Sequence, residues 1–279
     1  MDPEDAILAQ YLGAQGQLRA SLLATLARMW AALTSWRDAD AATFAAQAVP
    51  LVQGAQQGTA TLTAAYLARI VAQMTGSPVA SPKVDPRTVT GDAVRKADPA
   101  EVYRRPFNQV YTDLSQGKSL DSAVQAGGRR LQTIAATDLQ LAKTHTAQQV
   151  LSGNGRVSGY RRVLSGSRNC GLCIVAATQR YHKGDLLPIH PACDCGVAPI
   201  LGDQDPGQVI DEALLESAHD AIKDRFGRSA PDARSIDYRK VILVRDHGET
   251  GPTLTVASHN FTGQQIATGD LSVKKSRRR

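Results

Sequence analysis

The sequence predicts a mainly α fold, in which a long helical N-terminal region is followed by a small α+β C-terminal module with a Cys/His zinc-type knuckle. Three observations carry this. Apolar residues recur at three- and four-residue steps through the first half, and alanine is abundant there while aromatics make up only 5% of the chain. All four cysteines fall within 26 residues of the second half. Alanine favours helix and lets helices approach closely, whereas clustered thiols mark one local structure that needs sulfur, for a metal or a disulfide. The expected division is a helical domain over 1–155 with a linker near 76–97, a mixed α+β module over 156–265, and a flexible basic tail over 266–279.

The first helix is signalled by Asp2 as N-cap, Pro3 at the first helical position, and Glu4 and Asp5 at the positive end of the helix dipole. Leu8, Tyr11, Leu12, Leu18, Leu22, Leu26, Met29, Trp30 and Leu33 form one stripe that carries the helix as far as Trp36. A second helical region spans about 40–74, with an interruption expected at Pro50 and loosening at Gly54 and Gly58. Residues 76–91 hold Pro78, Pro82 and Pro86 and read as an extended connector. Asp98 and Pro99 repeat the cap-plus-proline start, Pro106 is expected to interrupt that helix, and Gly117 stops it. The last long helix runs over 119–151, with Val124, Leu131, Ile134, Leu139, Leu141 and Val150 on its apolar positions.

Beyond Gly155 the pattern changes. VSGYRRVLSG suggests a strand and a turn, and residues 197–201 form a short apolar run after the cysteines. Asp205 and Pro206 start a further helix to Phe226, and RKVILVR and TLTVA read as two strands joined by a glycine-bearing hairpin loop over 246–251.

Charge and hydropathy narrow the function classes. No window approaches 18 uninterrupted apolar residues, and the acidic N-terminus lacks the basic start of a secretory signal, so a soluble chain made in a cytoplasm, with no membrane partner, is expected. The net charge is +6, of which Lys274, Lys275, Arg277, Arg278 and Arg279 supply five. Attraction to DNA would therefore be concentrated in the tail, which could equally be solubilising charge.

The cysteines are arranged as Cys170-x2-Cys173, then His190-x2-Cys193-x-Cys195, with 16 residues between Cys173 and His190. A Cys-x2-Cys turn brings two thiolates to one ion at about 2.3 Å, and a distant pair completes a tetrahedron. Five residues compete for four positions, with His182 a sixth: Cys170 and Cys173 plus two of His190, Cys193 and Cys195 form the expected set. One or two disulfides, or buried reduced thiols, are the competing readings. A structural zinc is favoured over a catalytic one, because Asp185 and Asp194 sit in no hydrolase pattern and no His-x-Glu precedes the Cys-rich half as its partner, which argues against a nucleobase deaminase. Ser165, Ser167, His145, His182, His247 and His259 permit only arbitrary triads, and there is no Gly-x-Ser-x-Gly, Walker loop or dinucleotide fingerprint. No catalytic and no organic cofactor-binding residue is assigned.

The run RRVLSGSRNCGLCIVAATQRYHKGDLLPIHPACDCGVAPI resembles the C-terminal signature of Mu F-like minor head (minor capsid) proteins of tailed phages, of the type found in actinobacterial siphophages, where a CxxC turn precedes a His-Pro-x-Cys-x-Cys element. HGETGPTLTVASHNFTG, over 247–263, is similar to a second block of the same group. The resemblance implies a virion component of the head interior or portal vertex, contacting the portal protein and the major capsid protein or scaffold, and acting in head morphogenesis and in DNA packaging or delivery. Such proteins commonly neighbour or are fused to a capsid maturation protease, so a protease that cleaves scaffold or major capsid protein is the alternative. A zinc-knuckle DNA-binding module is the weaker third reading, given the near-neutral body and the few Lys and Arg around the cysteines.

Overall fold

A computed structural model describes residues 2–165, 173, 176–188, 191–202, 213, 242–246, 249 and 252–256. Its architecture is the expected one, predominantly helical with a small C-terminal sheet. Helix α1 spans Pro3–Ala31, α2 Asp38–Thr75, α3 Pro99–Ser115 and α4 Leu120–Ser152.

The caps act as the sequence indicates. Asp2 accepts from the Glu4 N–H at 3.1 Å, Asp98 from Ala100, and Ser119 from Ser122. Helix α1 buries Ile7, Tyr11, Gln15, Leu22, Leu26 and Trp30, one stripe along its length. It stops at Ala31, short of Trp36. Gly76, at φ 62°, ends α2 in the left-handed conformation that glycine adopts without a Cβ clash.

Neither internal proline breaks its helix. Helix α2 continues through Pro50 and α3 through Pro106. Pro50 is exposed, so the carbonyl it leaves without an intrahelical donor faces solvent. Pro106 is buried, and its backbone carbonyl lies against α4 at Gly127. The expected interruptions are overridden by packing on either side of each proline.

The helices form two antiparallel hairpins, α1 with α2 and α3 with α4. At one end they share a core of Leu26 and Trp30 from α1, Phe44 and Val52 from α2, Val102 and Phe107 from α3, and Leu131 and Ala135 from α4. The rings of Trp30, Phe44 and Phe107 meet edge to face, with centroids 4.9 to 5.8 Å apart. Helix α3 has 17 residues against 38 in α2, and so covers only part of the length of its neighbours.

A three-stranded antiparallel sheet covers the rest. Strand β1 (Val157–Val163) is central, flanked by β2 (Arg180–His182) and β3 (Gly196–Leu201). Val157, Tyr160, Val197 and Leu201 pack with Ile7 and Tyr11 of α1, Leu67 and Ile70 of α2, and Ala147 and Leu151 of α4. The three residues of β2 are too short a run to stand out in the sequence. Gly159, opposite His182, allows the tight β1–β2 approach, since a Cβ there would lie 2.5 Å from the Tyr181 carbonyl oxygen. Residues 76–97 join α2 to α3 and carry two short 3-10 turns, Pro86–Thr88 and Gly91–Ala93.

Strands β4 (Ile242–Asp246) and β5 (Pro252–Val256) pair from Ile242 with Val256 to Asp246 with Pro252, forming the expected hairpin. The helix expected over 205–226 and the basic tail lie outside the described residues. Among the described residues no helix is long and apolar enough to cross a membrane.

Candidate metal centre

The middle of α4 decides where the candidate site can form. From Ile134 to Thr144 every residue is buried, because helices pack on one side and the cysteine-bearing loop on the other. Two charges, Asp138 and Lys143, lie in this stretch. Five residues on a helix turn about 140°, so these side chains address different partners.

Lys143 faces the loop after residue 190. Its Nζ donates to the Asp194 carbonyl oxygen at 2.8 Å and lies 3.6 Å from the Asp194 carboxylate. Arg19 of α1 lies 3.3 Å from the same carboxylate and donates to the Ala192 carbonyl. Thr137 accepts the Ala192 N–H at 3.0 Å. Ala192 itself has φ 61°, a left-handed conformation unusual for alanine, which turns the chain just before Cys193. The Ser165 hydroxyl, after β1, also donates to the Asp194 carbonyl.

This loop presents Cys193 and Cys195 to Cys173. All three are buried, and their sulfurs lie within 4.8 Å of one another. The Sγ atoms of Cys173 and Cys193 are 3.3 Å apart. A disulfide needs about 2.05 Å, so these are reduced thiols. Bonds of about 2.3 Å in a tetrahedron place sulfurs roughly 3.8 Å apart, close to the spacing seen. Ala176, Leu164, Tyr181 and Leu187 form an apolar collar around them.

The thiol of Cys195 is pushed up to about 12. Its hydrogen bond with Cys173 is the largest influence and pulls it down, but the bond with Cys193, burial and the charge of Cys193 together push it up, while Lys143 pulls it down. Crowded thiols in a dry site resist ionisation, and a divalent cation reverses this by stabilising the thiolates. The donor set fits a soft or borderline cation better than calcium or magnesium, which take oxygen ligands.

Of the five expected ligands, the fold therefore unites Cys173, Cys193 and Cys195. Cys170 and His190 lie outside the described residues. His182 stands apart: it is exposed, and its Nδ1 accepts from the Gly184 N–H. His145 lies on α4 with its pKa lowered by burial. Among the described residues neither histidine is hydrogen-bonded to a serine or cysteine. Ser167, His247 and His259 lie outside the described residues.

Arg19, Thr137 and Lys143 are not evident as site residues from the sequence. A signal exists for Lys143. It sits five residues from Asp138 in an apolar stretch, and two charges about 140° apart cannot share one narrow exposed face.

A second buried network ties the C-terminal hairpin to the helices. Asp138 accepts from Arg95 Nε and from the Tyr103 hydroxyl, both at 2.8 Å. Arg95 reaches on to Glu249 at 3.0 Å, and Arg105 meets the other Glu249 oxygen at 2.5 Å. The Glu249 carbonyl accepts the Lys96 N–H. Next to Arg95 lies a small cavity of about 10 Å³, lined in part by Gln56, Tyr103 and Asp138. An open groove of about 620 Å³ runs between the 76–97 connector and the end of α4, lined by Leu67, Val79, Pro82, Lys83, Val150 and Arg156 among others.

No curated protein and no solved structure matches the chain. The model of a family described as VG15 protein matches residues 2–221. That span takes in all four helices, the three-stranded sheet and the cysteine loop, and ends before the β4–β5 hairpin. The chain belongs to the VG15 protein family, a viral family of phage type.

Proposed function

We propose that this chain is a structural minor capsid protein of a tailed phage, associated with the portal and the inside of the head, and that its C-terminal module is held together by a structural zinc ion. The observation that carries the reading is the family match over 2–221, within which lies the cysteine signature that resembles Mu F-like minor head proteins. The long helical body with one small sheet supports it, since such surfaces suit docking into a large assembly. Partners on this reading are the portal protein and the major capsid protein or scaffold, with packaged DNA reached through Lys274, Lys275, Arg277, Arg278 and Arg279.

Cys173, Cys193 and Cys195 would supply three ligands, and Cys170 or His190 the fourth. Zinc would contribute folding free energy by closing a loop that the apolar collar alone holds weakly. Lys143, Arg19 and Thr137 fix the loop that carries two of the thiols.

Mass spectrometry of purified virions tests the assembly role: the chain should be present at low copy number and co-purify with the portal when heads are disrupted. Its absence from virions would overturn the reading. Co-expression with the major capsid protein and scaffold tests the protease alternative. Site-specific cleavage that disappears on a single replacement in this chain would favour that alternative. Elemental analysis should find about one zinc per chain; none, with native thiols oxidised, would remove the zinc.

A further inference from the structure

We propose that Lys143 is the counter-cation of the thiolate–metal centre, a residue that sets metal affinity through its charge without touching the ion. The proposal rests on the zinc reading above.

Charges around Lys143 do not balance. Its side chain is only 8% exposed, and lysine is almost never buried without a partner. The carboxylate it meets among the described residues is that of Asp194, at 3.6 Å, beyond hydrogen-bonding distance. That carboxylate is 42% exposed and is also paired with Arg19 at 3.3 Å. Among the described residues two cations thus address one carboxylate, which leaves one positive charge in excess near the buried sulfurs, close enough to act on Cys195.

Metal loading supplies the missing negative charge. A divalent ion with three thiolates and a neutral imidazole carries a net charge of about −1, and with four thiolates about −2. A buried centre of that charge needs compensation from nearby donors or cations. Lys143 is placed for this role, since its Nζ donates to the carbonyl of Asp194, the residue between Cys193 and Cys195. The ammonium is held against the Cys-x-Cys segment from α4, whose stretch from Ile134 to Thr144 is buried.

Three full-length variants separate charge from hydrogen bonding and from packing. Lys143→Arg keeps the charge, Lys143→Gln keeps a donor for the Asp194 carbonyl but is neutral, and Lys143→Met keeps only the apolar stem. Zinc affinity is measured by competition with a chromophoric chelator, alongside cobalt(II) loading followed by thiolate-to-cobalt charge-transfer absorption. We expect Lys143→Arg to bind near the wild-type level, and Lys143→Gln and Lys143→Met to lose about 10- to 100-fold in affinity. The cobalt bands should keep their positions, because the ligands are the same.

If Lys143→Gln binds zinc as tightly as wild type, the hydrogen bond rather than the charge is what matters, and the proposal fails while the zinc centre stands. A wild-type chain that holds neither zinc nor cobalt removes the centre itself, and is a separate result. Should Lys143→Met fail to fold, the comparison of Lys143→Arg with Lys143→Gln still decides.

Discussion

Gly127 shows how a single hydrogen atom can set the distance between two helices. A Cβ at this position in α4 would lie 2.7 Å from Trp30, 2.8 Å from the Pro106 carbonyl oxygen and 2.9 Å from Val110. The neighbour at 2.8 Å is backbone and cannot rotate away. Gly127→Ala should therefore destabilise the protein by about 1 to 3 kcal/mol, despite the better helix propensity of alanine. Urea unfolding would measure this, and a neutral or stabilising result would show that α3 and α4 can part freely. Asp138 poses the opposite problem, a charge whose removal strands another. Arg95 and Asp138 are 8% and 7% exposed, and Asp138→Ala would leave a buried guanidinium with Glu249 as its one carboxylate partner among the described residues. A loss of about 3 to 5 kcal/mol is expected, whereas substitution at exposed Asp121 should change little. Neither effect is visible in the sequence alone, because both depend on which residue of another helix sits opposite.

At the scale of elements, helix positions and caps are readable because they depend on neighbours in sequence. Asp2, Asp98 and Ser119 cap where their spacing to the following apolar stripe indicates. The two internal prolines mislead, since whether proline ends a helix depends on what covers it. The contrast is testable: Pro50→Ala restores a donor on an exposed surface and should stabilise by about 1 to 3 kcal/mol, while Pro106→Ala opens space at the α3–α4 crossing and should not. Equal gains at both positions in thermal unfolding would contradict the packing explanation. Of the candidate metal centre, Cys173, Cys193 and Cys195 are legible from spacing; the loop's attachment to Arg19 and Lys143 is not, as it joins residues far apart in the chain. The β4–β5 hairpin is attached through Glu249. Burial pushes this carboxyl up, but hydrogen bonding and charge from Arg105, and then Arg95, pull it down further, so its pKa is lowered. The attachment is therefore complete above the ordinary glutamate value of about 4.3 and is lost as pH falls through the lower folded value. Hydrogen-exchange protection across 242–256, taken relative to the intrinsic rate at each pH, should fall on acidification in wild type. In Glu249→Gln it should already be lower at neutral pH.

For the molecule as a whole, the cores decide how far a local change spreads. Val157, Tyr160, Val197 and Leu201 share one core with α1, α2 and α4, so if the cysteine cluster holds the proposed zinc, chelation should loosen the sheet and the helix ends beneath it while the Trp30–Phe44–Phe107 core at the other end persists. Near-ultraviolet dichroism of the tryptophans should accordingly change little when zinc is removed, while exchange protection over 157–163 drops. The basic tail belongs to this scale too, since it acts through total charge. Deleting 274–279 removes five cations, and every phosphate that the shortened chain no longer neutralises should flatten the salt dependence of DNA binding by about 0.9 in slope. An unchanged slope would leave those residues as solubilising charge.

The shared core also orders events at the ribosome. Ile7 and Tyr11 are synthesised first among the elements of that core, yet part of what covers them, Val197 and Leu201, is synthesised last. At about 5 to 20 residues per second, the apolar stripe of α1 waits roughly 10 to 40 s for its seal. During that interval the nascent chain exposes a sticky helix, and its yield in the host depends on chaperones or on how quickly the sheet is made. Slowing translation between α4 and β3 should increase aggregation, while the same delay placed after β3 should not.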